Sequence, residues 1–544
     1  MNSLQAAFYF EEICGVYSND KIAIKEKYTQ LLIILGSVAV EVTKEEKLQF
    51  SNLFSRVSFI CTKHNINRKI HSFRIAANKI NHEGLEPSDI ADKTYFKFLV
   101  EFIASVYESD IPEKLSVYFP EKEYKEGNVN FKTASKIKHL RVEIAEIQDD
   151  YLICDFDGNE HDPYIKVAIN DQGVNDCFDS VNDFWVGAQL NLLNIEVDEK
   201  TIYHPKFLIL EPDYLLDVSA IAECFQDYGI SEFQYLKSKF DEVPNNKYIR
   251  LGNFANLVVD ELFANKNRNQ ISFKKTFEKD FKAYPFEYTV CEDLNDRADF
   301  IKYWHDAELH FERIKRVITR ELSSTGIDID KAVLEPSFLC DVFGIQGRLD
   351  ILELKEDGRS KIIELKSGGV PFPDDGKSIK PNHRSQLYLY YQLVGVMNDL
   401  DFSKVSESTE GFILYSKVDR NNMRFDKPNL KRIQEIFNYR NKIIGNEFIL
   451  SKGSVNEVKY LIESVSKANL IKNKKINVKF RSILEQQFDR FQAPIENLSQ
   501  LEQAYFFSYI SFVAKEQAIS KLGRGGDLSN KGFANLWLSS FEEK

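Results

Sequence analysis

Lys361-Ile362-Ile363-Glu364-Leu365-Lys366-Ser367-Gly368 is the stretch on which the fold of this chain turns. Its apolar residues predict a buried strand, yet Glu364 and Lys366 lie two apart within it. Strand residues two apart share a face. A carboxylate and an ammonium side by side on a core strand are costly unless they are paired or bind a metal. Asp350 supplies a second carboxylate on the preceding strand, in Gly344-Ile345-Gln346-Gly347-Arg348-Leu349-Asp350.

The hairpin between the two strands sets how these groups meet. Leu349 to Lys355 and Arg359 to Lys366 flank Glu356-Asp357-Gly358. If those three residues form a type I turn closed by a left-handed Gly358, Lys355 faces Arg359. Asp350 then lies opposite Glu364, with Cβ atoms roughly 5 Å apart. A two-residue Asp-Gly turn would shift the register by one and put Asp350 opposite Leu365. In the first register the bare carboxylates repel by ~4 kcal/mol at an effective dielectric of about 20. A hard divalent cation such as Mg²⁺ relieves that repulsion. Two carboxylates and a lysine converging on a cation beside a phosphodiester are the parts of a nuclease. A lone Glu-x-Lys pair would instead read as a solvated pair on an edge strand.

Gln386 and Tyr390 follow, four apart and therefore on one face of an expected helix. Leu387, Leu389 and Val394 make a plain core helix the alternative there. The order G-x-x-G-x-x-D, hairpin, I-E-L-K-S-G and Q-x-x-x-Y resembles the RecB-like exonuclease branch of the PD-(D/E)XK nucleases. The resemblance implies a mixed sheet flanked by helices, with Mg²⁺ or Mn²⁺ held by Asp350, Glu364 and the Leu365 carbonyl. It implies that Lys366 orients the attacking water and stabilises charge on the phosphate. Gln386 and Tyr390 would support the site and touch the DNA strand.

Further segments resemble the nuclease half of the DNA replication helicase/nuclease subgroup. They are Phe207 to Leu216, Ala222-Glu223-Cys224, Leu251 to Asn256, and Gly411 to Ser416. The likeness covers about residues 205 to 450 and departs from the subgroup in two ways. Asn256 stands where the subgroup has a metal-side histidine, for which His310 on a neighbouring helix is the candidate replacement and a structural role the alternative. The subgroup also closes an iron–sulfur cluster with cysteines beyond the nuclease core. Here the seven cysteines (Cys14, Cys61, Cys154, Cys177, Cys224, Cys291 and Cys340) are scattered without a C-x-x-C, so no iron–sulfur cluster is expected.

The rest of the chain frames this region. With 544 residues, several domains with substantial cores are expected. Residues 1–112 read as a helical domain, 113–212 as short strands forming a small OB-like β-barrel, 213–450 as the α/β nuclease core, and 451–544 as a helical stalk. A net charge of −12 argues against indiscriminate nucleic-acid coating and leaves room for a local basic channel. The apolar run from Leu31 to Val40 is too short to span a bilayer, so no membrane association is expected. Unpatterned cysteines and the lack of a secretory signal fit the cytoplasm. Gly376-Lys377-Ser378 resembles the end of a phosphate-binding loop, but Pro371 occupies the first glycine position and Pro381 follows; a loop beside the site is expected.

Taken together, the sequence predicts a metal-dependent DNA nuclease acting on single strands or flaps. The alternatives are a non-catalytic DNA-binding scaffold with a vestigial nuclease fold and a restriction-type duplex endonuclease. Without an ATP-binding motif, work on duplex DNA calls for a helicase partner. Tyr505, Phe506, Tyr509, Ile510, Phe512 and Val513, with the segment ending at Trp537, are its expected docking surface; burial of that stripe within the protein's own C-terminal region is the alternative.

Overall fold

The computed structural model describes residues 2–46, 50, 53–124, 136–156, 164–169, 179–242, 245–400 and 402–522. Cys177 and the segment ending at Trp537 lie outside these residues. The architecture is mixed α/β, with helical N- and C-terminal regions. No helix among the described residues is long and apolar enough to cross a membrane.

Helices Asn2–Tyr17, Ile24–Val42, Leu53–Lys63, Ile70–Glu83, Asp89–Val106 and Glu113–Ser116 make up the N-terminal region. Their apolar faces close on a core of their own that includes Leu31, Leu35, Val57, Phe73, Leu99 and Ile103. Five strands follow: β1 (Lys136–Ile147), β2 (Tyr151–Phe156), β3 (Ile165–Ala168), β4 (Gln189–Val197) and β5 (Ile202–His204). They run in the order β1-β2-β3-β5-β4, and β4 pairs back onto β1 to close a barrel. Strand β1 can serve both neighbours because it is long and bends at an irregularity between Ile144 and Glu146. Closure removes the free edges that these strands would otherwise expose. Strand β6 (Phe207–Leu210) extends from β4, and the chain then turns into the second unit.

That unit contains two short pieces, β7 (Leu216–Asp217) and the hairpin β8 (Phe225–Gln226) and β9 (Gly229–Ile230). Its main strands are β10 (Val333–Leu334), β11 (Ser337–Cys340), β12 (Ile345–Arg348), β13 (Ile351–Leu354), β14 (Ser360–Lys366), β15 (Thr409–Tyr415) and β16 (Met423–Asp426). The central sheet has the order β10-β13-β14-β15-β16, with β14 and β15 parallel and the other pairs antiparallel. Helix Pro381–Met397 is the crossover that a parallel pair requires.

Alternation along the strands gives the sheet two buried faces. Ile351, Ile363, Leu365, Phe412 and Leu414 pack with helices Lys247–Ala264 and Arg297–Arg316. Leu352, Ile362, Ile413 and Tyr415 face the crossover helix, whose Leu387, Tyr388, Tyr391 and Val394 join the same apolar cluster. That cluster continues without a break into the barrel and reaches Leu522 in the last described helix.

Helix Leu430–Lys452 fastens the barrel to the second unit. Asn441 extends the pairing of β6, accepting from the Leu210 N–H at 2.9 Å and donating to the Leu208 carbonyl at 2.7 Å. Beside it the fully buried Arg440 donates to the carbonyls of Gly344, Leu210, Glu211 and Tyr214. Beyond lie helices Val455–Glu463, Lys467–Leu470, Val478–Glu496 and Gln500–Leu522. The expected stripe on the last helix divides. Phe506 and Ile510 pack partly on the C-terminal core, whereas Tyr505, Tyr509, Phe512 and Val513 are exposed.

Candidate active site

The turn between β13 and β14 fixes the site. Gly358 has φ +79°, the left-handed conformation that closes the turn, and Lys355 N–H donates to the Arg359 carbonyl at 2.8 Å. The register is therefore the first of the two read from the sequence, with Ile351 facing Ile363. Asp350, one residue earlier, lies at the mouth of the strand pair. Its Oδ2 accepts from the Leu365 N–H at 2.6 Å.

Glu364 is only 4% exposed and points, with Ile362 and Lys366, toward the crossover helix. Its Oε1 accepts from Lys366 Nζ at 2.9 Å and from Gln386 Nε2 at 2.7 Å. Gln386 Oε1 in turn accepts from Lys366 Nζ at 2.7 Å, so the amide bridges acid and amine. Glu364 Oε2 is buried with no partner at hydrogen-bond geometry. Tyr390 lies one turn beyond Gln386, and its hydroxyl donates to the Arg348 carbonyl at 2.6 Å. Its ring is buried and its hydroxyl is engaged inside the fold.

Burial and mutual repulsion shape the electrostatics. Loss of solvent, followed by the Glu364 charge, pushes the Asp350 carboxyl up to about 8. Burial likewise raises Glu364, against the opposing pull of the Lys366 ammonium. Both shifts are what a divalent cation would reverse. The donor set suits a hard cation: two carboxylates, one with an unpartnered oxygen, beside the backbone of Leu365.

The glycines of G-x-x-G-x-x-D have separate physical reasons. Gly344 has φ +61°, and a Cβ there would lie 2.2 Å from Arg440 Nη2. Its lack of a side chain lets the buried guanidinium reach the turn. A Cβ on Gly347 would press on Val218 at 3.1 Å and on the Tyr390 ring at 3.3 Å. The motif thus holds the strand leading to Asp350 tight against both the hub and the crossover helix.

His310 and Asn256 do not complete a three-ligand set. His310 is buried on helix Arg297–Arg316, with Nδ1 2.8 Å from Ser416 Oγ, and burial lowers its pKa to about 4. Asn256 is exposed in the third turn of helix Lys247–Ala264, which is capped by Asn246. Among the described residues no group of three or more His, Cys, Asp and Glu side chains is arranged to hold a metal. Cys224 is buried, with its Sγ 3.9 Å from the Ala220 carbonyl, and burial raises its thiol above the usual range.

Three neighbours had no motif to announce them. Glu335 donates its N–H to the Asp350 carbonyl at 2.9 Å, and its carboxylate pairs with Arg348 at 3.0 Å. Asp260 lies within electrostatic reach of that pair, and its own carboxyl is raised, first by burial and then by Glu335. His383, three residues before Gln386, meets the Tyr415 hydroxyl at 2.9 Å. Burial, then Lys366 and Lys380, lowers its pKa to about 3. The position of His383 on the Gln386 face was the one available signal. Compared with known proteins, the chain matches no protein-family model and no curated protein.

Proposed function

We propose that this protein is a metal-dependent deoxyribonuclease with a PD-(D/E)XK core of the RecB-like type, hydrolysing phosphodiester bonds of single strands or flaps. The observation that carries the reading is the meeting of Asp350, Glu364 and Lys366 at one end of the central sheet, with Glu364 Oε2 unpartnered. Asp350 and Glu364 would hold Mg²⁺ or Mn²⁺, and the Leu365 carbonyl is the third donor that the family resemblance implies. A bound cation would supply Lewis-acid stabilisation of the phosphate and a more acidic water. Lys366, tethered by Glu364 and Gln386, offers its ammonium to charge developing on the phosphate. Gln386 holds the acid and the amine in one geometry, and Tyr390 fastens the strand leading to Asp350.

The closed barrel supports a single-strand substrate. Its strand order β1-β2-β3-β5-β4, with β3 and β5 parallel, is that of an OB-like barrel, an architecture suited to guiding oligonucleotides. A helicase partner remains part of the proposal, because melting duplex DNA costs about 1.4 kcal/mol per base-pair step. The exposed face of Tyr505, Tyr509, Phe512 and Val513 is the surface offered to it.

A second reading, a DNA-binding scaffold with a vestigial nuclease fold, is favoured by one observation: Asn256 and His310 give the carboxylate pair no histidine ligand. Purified protein incubated with end-labelled single and double strands in Mg²⁺, Mn²⁺ or EDTA separates the two. The nuclease reading expects metal-dependent cleavage of single strands, and binding without cleavage under all conditions selects the scaffold. Fast, processive digestion of long blunt duplex without ATP would remove the need for a helicase.

A further inference from the structure

Residues 367–380 join the strand bearing Glu364 and Lys366 to the helix bearing Gln386. The loop is irregular, yet it is fastened at several points. Ile379 is buried and Val370 packs against the main apolar cluster. The buried Arg424 pairs with Asp374 at 2.7 Å and donates to the Ser378 carbonyl. Asp374 accepts from the Gly376 N–H at 2.9 Å, and Asp375 accepts from the N–H groups of Lys377 at 2.9 Å and Ser378 at 2.7 Å.

From this anchored base projects Pro371-Phe372-Pro373. Phe372 is 98% exposed, the most of any large apolar side chain among the described residues. Leaving a phenylalanine in water forgoes the gain of burying it, so nothing within the described fold accounts for the ring. The two prolines limit the backbone freedom of the tip, and a ring presented on a stiff tip loses little entropy on binding.

The surroundings indicate what the ring meets. Asn421, in the β15–β16 turn, lies against Gly376, so that turn flanks the loop. Lys377 on the loop, and Lys417 and Arg420 on the turn, are exposed and make no ion pair among the described residues. Of the nearby acids, Asp374 is paired with Arg424 and Asp419 with Arg316 at 2.9 Å, while Asp375 is held by the N–H groups of Lys377 and Ser378 and by the Ser378 hydroxyl. An exposed flat ring beside cations that lack paired acids is the combination that grips a single strand, with the ring stacking on a base and the cations holding phosphates.

We infer that Phe372 is a base-stacking residue that holds single-stranded DNA beside the catalytic strand. The inference rests on the nuclease reading for the identity of the strand, but its test does not depend on catalysis. Binding of a labelled oligo(dT) 20-mer by the full chain is followed by fluorescence anisotropy in EDTA, which prevents cleavage. Phe372→Ala, at an exposed position, is expected to fold normally by circular dichroism. It should bind about 5- to 100-fold more weakly, the usual worth of one stacked base. Phe372→Trp should keep the affinity, and its emission should be quenched by the oligonucleotide beyond any change in the parent protein.

Unchanged affinity in Phe372→Ala overturns the stacking role, while Mg²⁺-dependent cleavage by the parent would leave the nuclease reading standing. Loss of affinity in Phe372→Ala without cleavage by the parent upholds the stacking site and sinks the hydrolase. A parent protein that binds no oligonucleotide in EDTA overturns the stacking site, and its cleavage in Mg²⁺ then decides the nuclease reading separately. Self-association that depends on Phe372, with unchanged DNA affinity, would assign the ring to a protein contact instead.

Discussion

Arg440 and Glu364 are both charged side chains buried near the glycine-rich turn, and the fold treats them in opposite ways. Arg440 spends its donors on four backbone carbonyls that converge from β6, the turn after it, and Gly344. Glu364 has one oxygen shared between Lys366 and Gln386 and a second that no side chain satisfies, with the Asp350 backbone N–H the further group that favours its charge. Buried polar groups are ordinarily satisfied, and an orphan needs a reason. The first node is thus a fastening between barrel and sheet. The second keeps an oxygen that no side chain satisfies, and it is here that the proposed cation would bind. Stability and activity should therefore separate between the two nodes.

The largest expected effect is on activity. Glu364→Ala or Lys366→Ala should abolish metal-dependent cleavage, with a loss of about 10³-fold or more, because several kcal/mol of charge stabilisation disappear. Circular dichroism should show the parental fold, and the denaturation midpoint should move less than it does for Arg440→Met. Substantial Mg²⁺-dependent cleavage by either variant would break the assignment of this node.

Arg440→Met should do the reverse. It strands several buried carbonyls, each worth about 1–3 kcal/mol, so a stability loss of about 3 kcal/mol or more is expected in urea titration. Residual folded protein should keep its cleavage rate per active molecule. A lost rate with an unmoved midpoint would show that Arg440 serves the chemistry directly.

The difference between the nodes also explains what the sequence disclosed. The β13–β14 register was legible because turn length and Gly358 leave only two choices, and the structure takes the one that joins Asp350 to Glu364. The barrel strands were legible from their alternation and turn spacing, and the loop around Gly376 from its prolines. Arg440 was not: its partners are backbone carbonyls distant in sequence, and carbonyls leave no signature in residue types. Glu335 and Asp260 were equally silent, because they reach the site from a turn and a helix that only the tertiary fold brings together. The division of the C-terminal stripe into a packed and an exposed face needed the neighbouring helices to be seen.

Gln386 sharpens the comparison at a smaller scale. Its neutral amide bonds both Glu364 and Lys366. Gln386→Leu should lower the single-turnover cleavage rate by about 10- to 100-fold, the usual cost of losing a group that orients metal-site residues. Gln386→Glu would add a third carboxylate and should shift the dependence on Mg²⁺ concentration. A Leu variant with parental rate at every Mg²⁺ concentration would reduce Gln386 to a core residue.

The smallest effect concerns pH and needs no catalysis. Asp350 is pushed from an ordinary 3.8 to about 8 by burial and by Glu364. Between those values the folded protein holds more protons than the unfolded chain, so the metal-free protein loses stability as pH rises through that window. Asp350→Asn removes the titrating group. It should leave metal-free stability nearly unchanged at pH 4 and raise it by on the order of 2 kcal/mol near pH 8. Mg²⁺ should stabilise the parent most at the upper end of the same window and the Asn variant much less, because the proposed cation would bind the carboxylate that the proton otherwise neutralises. The measurement is a set of urea denaturation curves from pH 4 to 8, with and without Mg²⁺. A parent and variant that run parallel across this range would mean that Asp350 is solvated and ionised like a surface carboxylate. The contrast with the satisfied Arg440 node would then fail at its most sensitive point.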